Sequence, residues 1–221
     1  MIYVFPHCAS REAEISKIQG ISRLFAFPCK PHFDNRGKIV ILDSGAFGLY
    51  QQGYKMTDNH IKKLSAHYEQ YHSENVLCIA PDEFLNPTTS MFNLQKWLKR
   101  GYFKHITPVV QAERKDYINI DNLIMQADFY RNYSDTICFS NNNLTGDVAK
   151  YLKLEIFAKH CKDIGFKWLH VLGAGWNIDD IMNWSQIKYI DSIDSIAYYR
   201  KDFFNGDAIE NIKEIRKCLQ I

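Results

Sequence analysis

Short apolar runs rich in β-branched and aromatic residues recur along this chain, and longer helix-forming stretches separate most of them. Eight runs stand out, at 2–5, 24–27, 38–42, 75–80, 105–110, 136–139, 167–172 and 187–193. The helical stretches fall at 11–19, 57–72, 89–100, 120–132, 147–164, 179–184 and 206–219. A strand followed by a helix must pair in parallel with the next strand, because the helix carries the chain back across the sheet. Eight such units are the number that closes a barrel. The expected fold is therefore α/β: one domain over 1–221, a compact (β/α)8 TIM-type barrel. The weak run at 24–27 leaves room for an irregular one.

Composition agrees with a packed, water-soluble domain. Of the 221 residues, 46% are hydrophobic and 24% charged, with a formal net charge of +2. That balance neither announces a polyanion partner nor excludes one, since a basic patch can sit on a neutral average. Cys8, Cys29, Cys78, Cys138, Cys161 and Cys218 form no C-x-x-C pair and sit mostly in apolar runs. They read as buried free thiols of a reducing cytoplasm. No basic-then-apolar leader pattern opens the chain, and no apolar run approaches the ~20 residues of a membrane span. The expectation is a soluble cytoplasmic protein with no membrane partner.

In a β/α barrel the site is assembled at the C-terminal ends of the strands. The third run ends in Asp43-Ser44-Gly45-Ala46-Phe47 and the fourth in Pro81-Asp82-Glu83. The fifth ends in Gln111, the sixth in Ser140-Asn141-Asn142-Asn143, and the seventh in Gly173-Ala174-Gly175. The eighth carries Asp191 and Asp194. Any one of these residues suits a turn or a helix cap. Carboxylates repeated at one end of successive apolar strands are costly to place there unless solvated, paired or used.

These residues resemble, in chain order, the motifs of the tRNA-guanine transglycosylases. Asp43-Ser44-Gly45-Ala46-Phe47 is similar to D-S-G-G-F, and Ala80-Pro81-Asp82-Glu83 to the segment of the second, base-reading aspartate. Pro108-Val109-Val110-Gln111 is similar to V-Q-G. Leu172-Gly173-Ala174-Gly175 with Asp179-Asp180-Ile181 resembles M-G-V-G-x-P-x-D-[IL]. The stretch from Ile193-Asp194-Ser195 to Arg200 resembles F-D-C-x-x-P-T-R. Each motif is short, but five of them keep their order over residues 38–200.

The resemblance implies base exchange in a nucleic acid: guanine leaves and a 7-deazaguanine derivative enters. Asp194 would be the nucleophile and Asp43 the second catalytic carboxylate, handling the proton. Asp82, Gln111, Ser44, Phe47, Gly173 and Asn142 would bind the base. Arg200 and Lys201 would hold phosphates. No cofactor is implied.

The chain departs from the family in two ways. Members acting on tRNA carry a zinc site of three cysteines and a histidine after the nucleophile; here the 27 residues beyond Asp194 hold only Cys218 and no histidine. No metal is therefore expected. Asparagines 141–143 also stand where the family has a Gly-Gly-Leu loop. The chain is closest in character to the short zinc-free branch that modifies DNA, so DNA is the expected partner, with tRNA the alternative. A homodimer or partner subunit, a non-catalytic barrel subunit, and a small-nucleoside hydrolase stay open.

Other readings of single residues stand beside these. Asp191 competes with Asp194 for the nucleophile. Phe47 and Gln111 could pack, Arg200 could form an ion pair, and His7 could serve only as a hydrogen-bonding residue. Tyr198 and Tyr199 read as a stacking surface or interface aromatics.

Overall fold

A computed structural model describes residues 1–7, 10, 12–15, 17–31, 38–114, 117–141, 148–175, 177–195, 198 and 207–220. The chain runs β1 (Ile2–Pro6), α1 (Glu12–Ile15), β2 (Ser22–Ala26), β3 (Val40–Asp43), α2 (Ala46–Gln51), α3 (Asp58–Tyr71) and β4 (Val76–Ile79). It continues through α4 (Pro87–Lys99), β5 (Ile106–Thr107), β6 (Val109–Gln111), α5 (Ile120–Arg131) and β7 (Thr136–Ser140). The remaining elements are α6 (Val148–Asp163), β8 (Trp168–Leu172), α7 (Ile178–Gln186), β9 (Ser192–Asp194) and α8 (Ala208–Leu219).

Among the described residues these strands all pair in parallel, in the order β5-β4-β3-β2-β1-β9-β8-β7-β6. Only Pro108 separates β5 from β6, the two ends of that order. One stretch of chain thus carries both edges, and the sheet curls into a nearly closed TIM-type barrel. The predicted strand 105–110 is split because Pro108 has no N–H to give the ladder. Its carbonyl still accepts from Cys138 N at 2.8 Å, and the Thr107 and Thr136 hydroxyls meet across the seam at 2.7 Å.

Two apolar layers follow from the period-2 alternation of the strands. Val4, Leu24, Ile41, Ile79, Val109 and Cys138, one from each of six strands, cluster together, which only the barrel interior allows. Alternate residues such as Phe5, Phe25, Leu42, Cys78 and Val171 face outward and pack with helix residues including Leu64, Trp97, Phe157 and Trp184. Side-chain caps start the helices: Thr57, Asn86, Asn119, Asn177 and Asp207 each accept from a backbone N–H in the following turn. No helix among the described residues is long and apolar enough to cross a membrane.

The strand expected at 187–193 is shorter than its apolar pattern suggests. Tyr189 takes a φ of 73°, which interrupts the extended chain, and pairing begins at Ser192. Asp191 therefore sits at the N-terminal end of β9. There its carboxylate accepts from Leu169 N at 2.7 Å and from Lys162 Nζ at 2.5 Å. That is a structural ion pair at the end of the barrel away from the mouth, and it removes Asp191 from competition with Asp194.

Candidate active site

The strand registers set what the barrel mouth contains. Ala26 pairs with Asp43, Val4 with Asp194, Gln111 with Ser140, and Ser140 with Leu172. Ala26, Asp43, Gln111 and Ser140 each lie two residues beyond a member of the apolar cluster and share its inward parity, while Asp194 stands level with Val4 of the cluster itself. Above them opens a cavity of about 340 Å3 lined by three carboxylates, Asp43, Asp82 and Asp194, and by Pro6, His7, Leu24, Ala26, Phe47, Phe84 and Leu172 among others.

Asp194 is 6% exposed. Its Oδ1 accepts from Gly173 N at 3.2 Å and lies 3.0 Å from His170 Nε2. Its carbonyl accepts from Ala174 N at 2.6 Å. The backbone after β8 thus wraps Asp194 from one side. The second oxygen, Oδ2, has no hydrogen-bond partner among the described residues, and the residue lines the cavity.

Asp82 is held from below. Ser44 Oγ donates to Oδ1 at 2.5 Å and Gln111 Nε2 to Oδ2 at 2.6 Å. Gln111 is itself fully buried: its Oε1 accepts from Leu85 N at 2.7 Å, and its backbone is bracketed by the amide of Gln126. A buried network with its members satisfied is rigid. Ser44 and Gln111 do not line the cavity, so here they orient Asp82 instead of facing a ligand. The N–H of Gly173 is likewise spent on Asp194.

Burial and mutual repulsion raise two of the acids. Burial, then the charge of Asp194, pushes Asp43 up to about 6 against hydrogen bonds from the Gly45 and Ser44 backbone. Burial, then Asp43, pushes Asp82 up to about 7, with the Ser44 hydrogen bond pulling the other way. Like charges gathered in a poorly solvated mouth cannot all ionise freely, so one or more holds a proton near neutrality.

Gly45 makes the turn that presents Asp43 and Ser44. Its φ is +79°, and a Cβ there would lie 2.8 Å from the Phe27 carbonyl oxygen. Phe47, on the first turn of α2, is 48% exposed and lies edge-on to Phe84, ring centroids 5.0 Å apart. Tyr50 also meets the Phe84 ring, with centroids 4.8 Å apart. The three rings form an apolar rim, and Phe47 is not core.

Of the residues expected from sequence, Asp43, Asp82, Asp194, Phe47 and Gly173 line one cavity. Ser44 and Gln111 stand behind it, and Asn142, Arg200 and Lys201 lie outside the described residues. Tyr198 is no stacking surface: it is fully buried, with its hydroxyl on the Pro6 carbonyl. Tyr199 lies outside the described residues. Sequence reasoning missed Phe84 and His170; of the asparagines at 141–143 it singled out Asn142, whereas Asn141 is the one among the described residues. Asn141 donates to the Gly173 carbonyl at 2.7 Å and lines the cavity. The sequence signal for His170 is its parity: it is two residues before Leu172 in an apolar strand, and so points into the barrel.

No family model matches the chain, and no curated protein matches it. Among solved structures it is similar to the copper homeostasis protein CutC from Streptococcus agalactiae, with a TM-score of 0.53 over 89% of this chain and 98% of that one. Sequence identity between the two is 8%, so the likeness is one of fold, and the chemistry of the mouth must be argued from its own side chains.

Proposed function

We propose that the chain is a nucleic-acid base transglycosylase that exchanges guanine for a 7-deazaguanine derivative, in DNA by preference, through a covalent Asp194 intermediate. One observation carries the reading. The Asp194 side chain is anchored through Oδ1, and its Oδ2 has no partner among the described residues, in a cavity shared with two carboxyls, Asp43 and Asp82, whose proton affinity is raised.

Oδ2 attacks C1′ of the target nucleotide as the bond from C1′ to the base nitrogen breaks. The electron pair of that bond leaves with guanine, which takes a proton from the Asp43 carboxyl. The transition state has oxocarbenium character, stabilised by the facing carboxylate, as in glycoside hydrolysis. The incoming base then gives a proton to the Asp43 carboxylate and attacks C1′, and the pair of the C1′–Oδ2 bond returns to Asp194. A carboxyl poised near 6 suits a group that must both give and take a proton.

Asp82 offers acceptor oxygens to the N1–H and exocyclic amine of a guanine-type base. Its hydrogen bonds from Ser44 and Gln111 fix the plane in which those oxygens point. Phe47 and Phe84 supply faces for the base or its neighbour. A mouth of this size takes one flipped nucleotide, not a duplex.

The test is incorporation of a labelled 7-deazaguanine base into guanine-containing DNA or into tRNA, scored with a denaturant-stable protein–nucleic acid adduct. Wild type is expected to do both with DNA; Asp194→Ala is expected to do neither. Incorporation into tRNA alone would move the substrate to the alternative. A folded wild type that modifies neither would sink the reading.

A further inference from the structure

Beneath Asp194 lies a polar thread that takes no part in the proton and bond transfers of base exchange. His170 is fully buried, on the same inward parity of β8 as Leu172, which packs against the interior cluster of Val4, Ile41 and Cys138. Its strand neighbours in register are Cys138 and Ser192. A polar ring so placed is costly unless both nitrogens are satisfied, and both are. Nδ1 lies 2.8 Å from Ser192 Oγ, and Nε2 lies 3.0 Å from Asp194 Oδ1.

The direction of each bond can be assigned from the end that has no choice. The indole N–H of Trp168 is a donor only and gives its hydrogen to Ser192 Oγ at 3.0 Å. The Ser192 hydroxyl then has its own hydrogen to place, and His170 Nδ1 is its one hydrogen-bond acceptor among the described residues. Nδ1 is therefore bare, Nε2 carries the hydrogen, and that hydrogen points at Asp194. Three interior side chains on two adjacent strands form a directed chain, from Trp168 near the barrel floor to one oxygen of the mouth carboxylate.

We infer that His170 is a positioning residue: its Nε2–H and the Gly173 N–H together hold Oδ1 of Asp194, which leaves Oδ2 as the attacking atom and stabilises the carboxylate when it is expelled. The inference rests on the transglycosylase reading for its chemical consequence, but the hydrogen-bond directions stand without it. In the covalent intermediate Oδ1 is the carbonyl oxygen of an ester and accepts weakly. When the incoming base attacks C1′ and the C1′–Oδ2 pair returns to Asp194, full negative charge develops on the carboxylate that these donors hold. Hydrogen bonds to an ionised acceptor are about twice as strong as neutral ones. Losing the His170 donor therefore slows breakdown of the intermediate.

Two measurements test this. In protein labelled with 15N-histidine, two-bond proton–nitrogen correlation spectra report the tautomer of each imidazole, with His170 assigned by its loss in His170→Gln. The expected result is a protonated Nε2 and a bare Nδ1 in wild type, a shifted Nε2 in Asp194→Asn, and a tautomer mixture in Ser192→Ala. In the exchange assay, the adduct in His170→Phe is expected to live about tenfold longer or more, the size of one lost hydrogen bond to a charged group. His170→Gln, whose amide N–H reaches a similar point, is expected to restore the lifetime to within a few-fold. A bare Nε2 in wild type, or wild-type adduct lifetime in a folded His170→Phe, overturns the inference and leaves base exchange standing. A protonated Nε2 that shifts in Asp194→Asn, in a protein that forms no adduct with DNA or tRNA, supports the placement of His170 and sinks the exchange reading.

Discussion

Ser44 Oγ donates to Asp82 Oδ1 at 2.5 Å, joining the turn after β3 to the strand end after β4 across 38 residues of sequence. The same hydroxyl accepts from Ala46 N at 3.2 Å, so it also steadies the first turn of α2. Ser44 thus connects the placement of Asp82 to that of Asp43, its own chain neighbour. Ser44→Ala leaves a buried carboxylate oxygen and a helix N–H without a partner and is expected to cost about 1–3 kcal/mol. It also removes a contact that holds the Asp82 pKa down, so Asp82 should move above its present value of about 7. Urea midpoints and carboxyl-carbon NMR titration read the two effects. An unchanged midpoint together with an unchanged Asp82 titration would show that the contact has no energetic weight.

The raised acids make stability pH-dependent. Asp43 at about 6 and Asp82 at about 7 lie above the ordinary carboxyl range, so the folded chain keeps protons that the unfolded chain releases. Their favourable contribution is complete below about pH 4 and disappears as pH rises through 6 to 7. The thermal midpoint of the ligand-free protein should therefore fall between pH 5 and pH 8 at constant ionic strength. Asp43→Asn keeps an acceptor for the Ser44 and Gly45 backbone and discards the charge. It should raise stability at pH 8 by about 1–3 kcal/mol and leave it nearly unchanged at pH 4. The carboxyl of Asp43 faces the cavity and is partly solvated, which keeps the gain toward the lower end. A variant less stable than wild type at pH 8 would contradict this.

The barrel and the acids of its mouth were legible in the sequence for one reason: both follow from local pattern. Apolar runs at strand spacing gave the α/β alternation, and Asp43, Asp82 and Asp194 stood where those runs ended. What was not legible depends on which way a side chain turns once packed. Gln111 and Ser44 have the chemistry of base readers, yet their amide and hydroxyl are taken by Asp82 and Leu85, contacts made between segments far apart in sequence. His170 escaped because it lies inside a strand and not at its end. The helix α2 was also missed; at 6 residues, with Gly48 within it, it carries no helical periodicity to read. Pro108 was the one local cue to the split strand.

Gly45 offers a test of how tightly the Asp43 turn is set. Left-handed φ alone costs an alanine about 1 kcal/mol. At Gly45 the added Cβ also meets the Phe27 carbonyl oxygen at 2.8 Å, backbone that cannot swing away. Gly53 has a similar φ of +74° with nothing within 4 Å of the added carbon. Gly53→Ala should therefore cost about 1 kcal/mol, and Gly45→Ala at least twice that. Gly45→Ala should also shift the Asp43 titration, because the turn carries both backbone donors of that carboxyl. Equal losses at the two positions would mean that the Phe27 contact relaxes without cost.

The aromatic rim separates binding from folding. Phe47 is 48% exposed and its ring meets Phe84 edge-on at 5.0 Å; Tyr50 is 43% exposed and lies 4.8 Å from the same ring. Only about half of Phe47 is covered, so Phe47→Ala should cost no more than about 1–2 kcal/mol, well short of unfolding the chain. If a base stacks there during exchange, the loss falls on substrate: base–aromatic stacking is worth about 1–3 kcal/mol per ring by alanine substitution. Phe47→Ala should then weaken binding of single-stranded DNA by about tenfold or more, with Phe47→Trp restoring it. Because the contact is made in the ground state as well as the transition state, the effect should appear in KM and not in kcat. Undiminished DNA binding by folded Phe47→Ala would exclude the rim as a stacking platform and leave recognition of the base to the carboxylates.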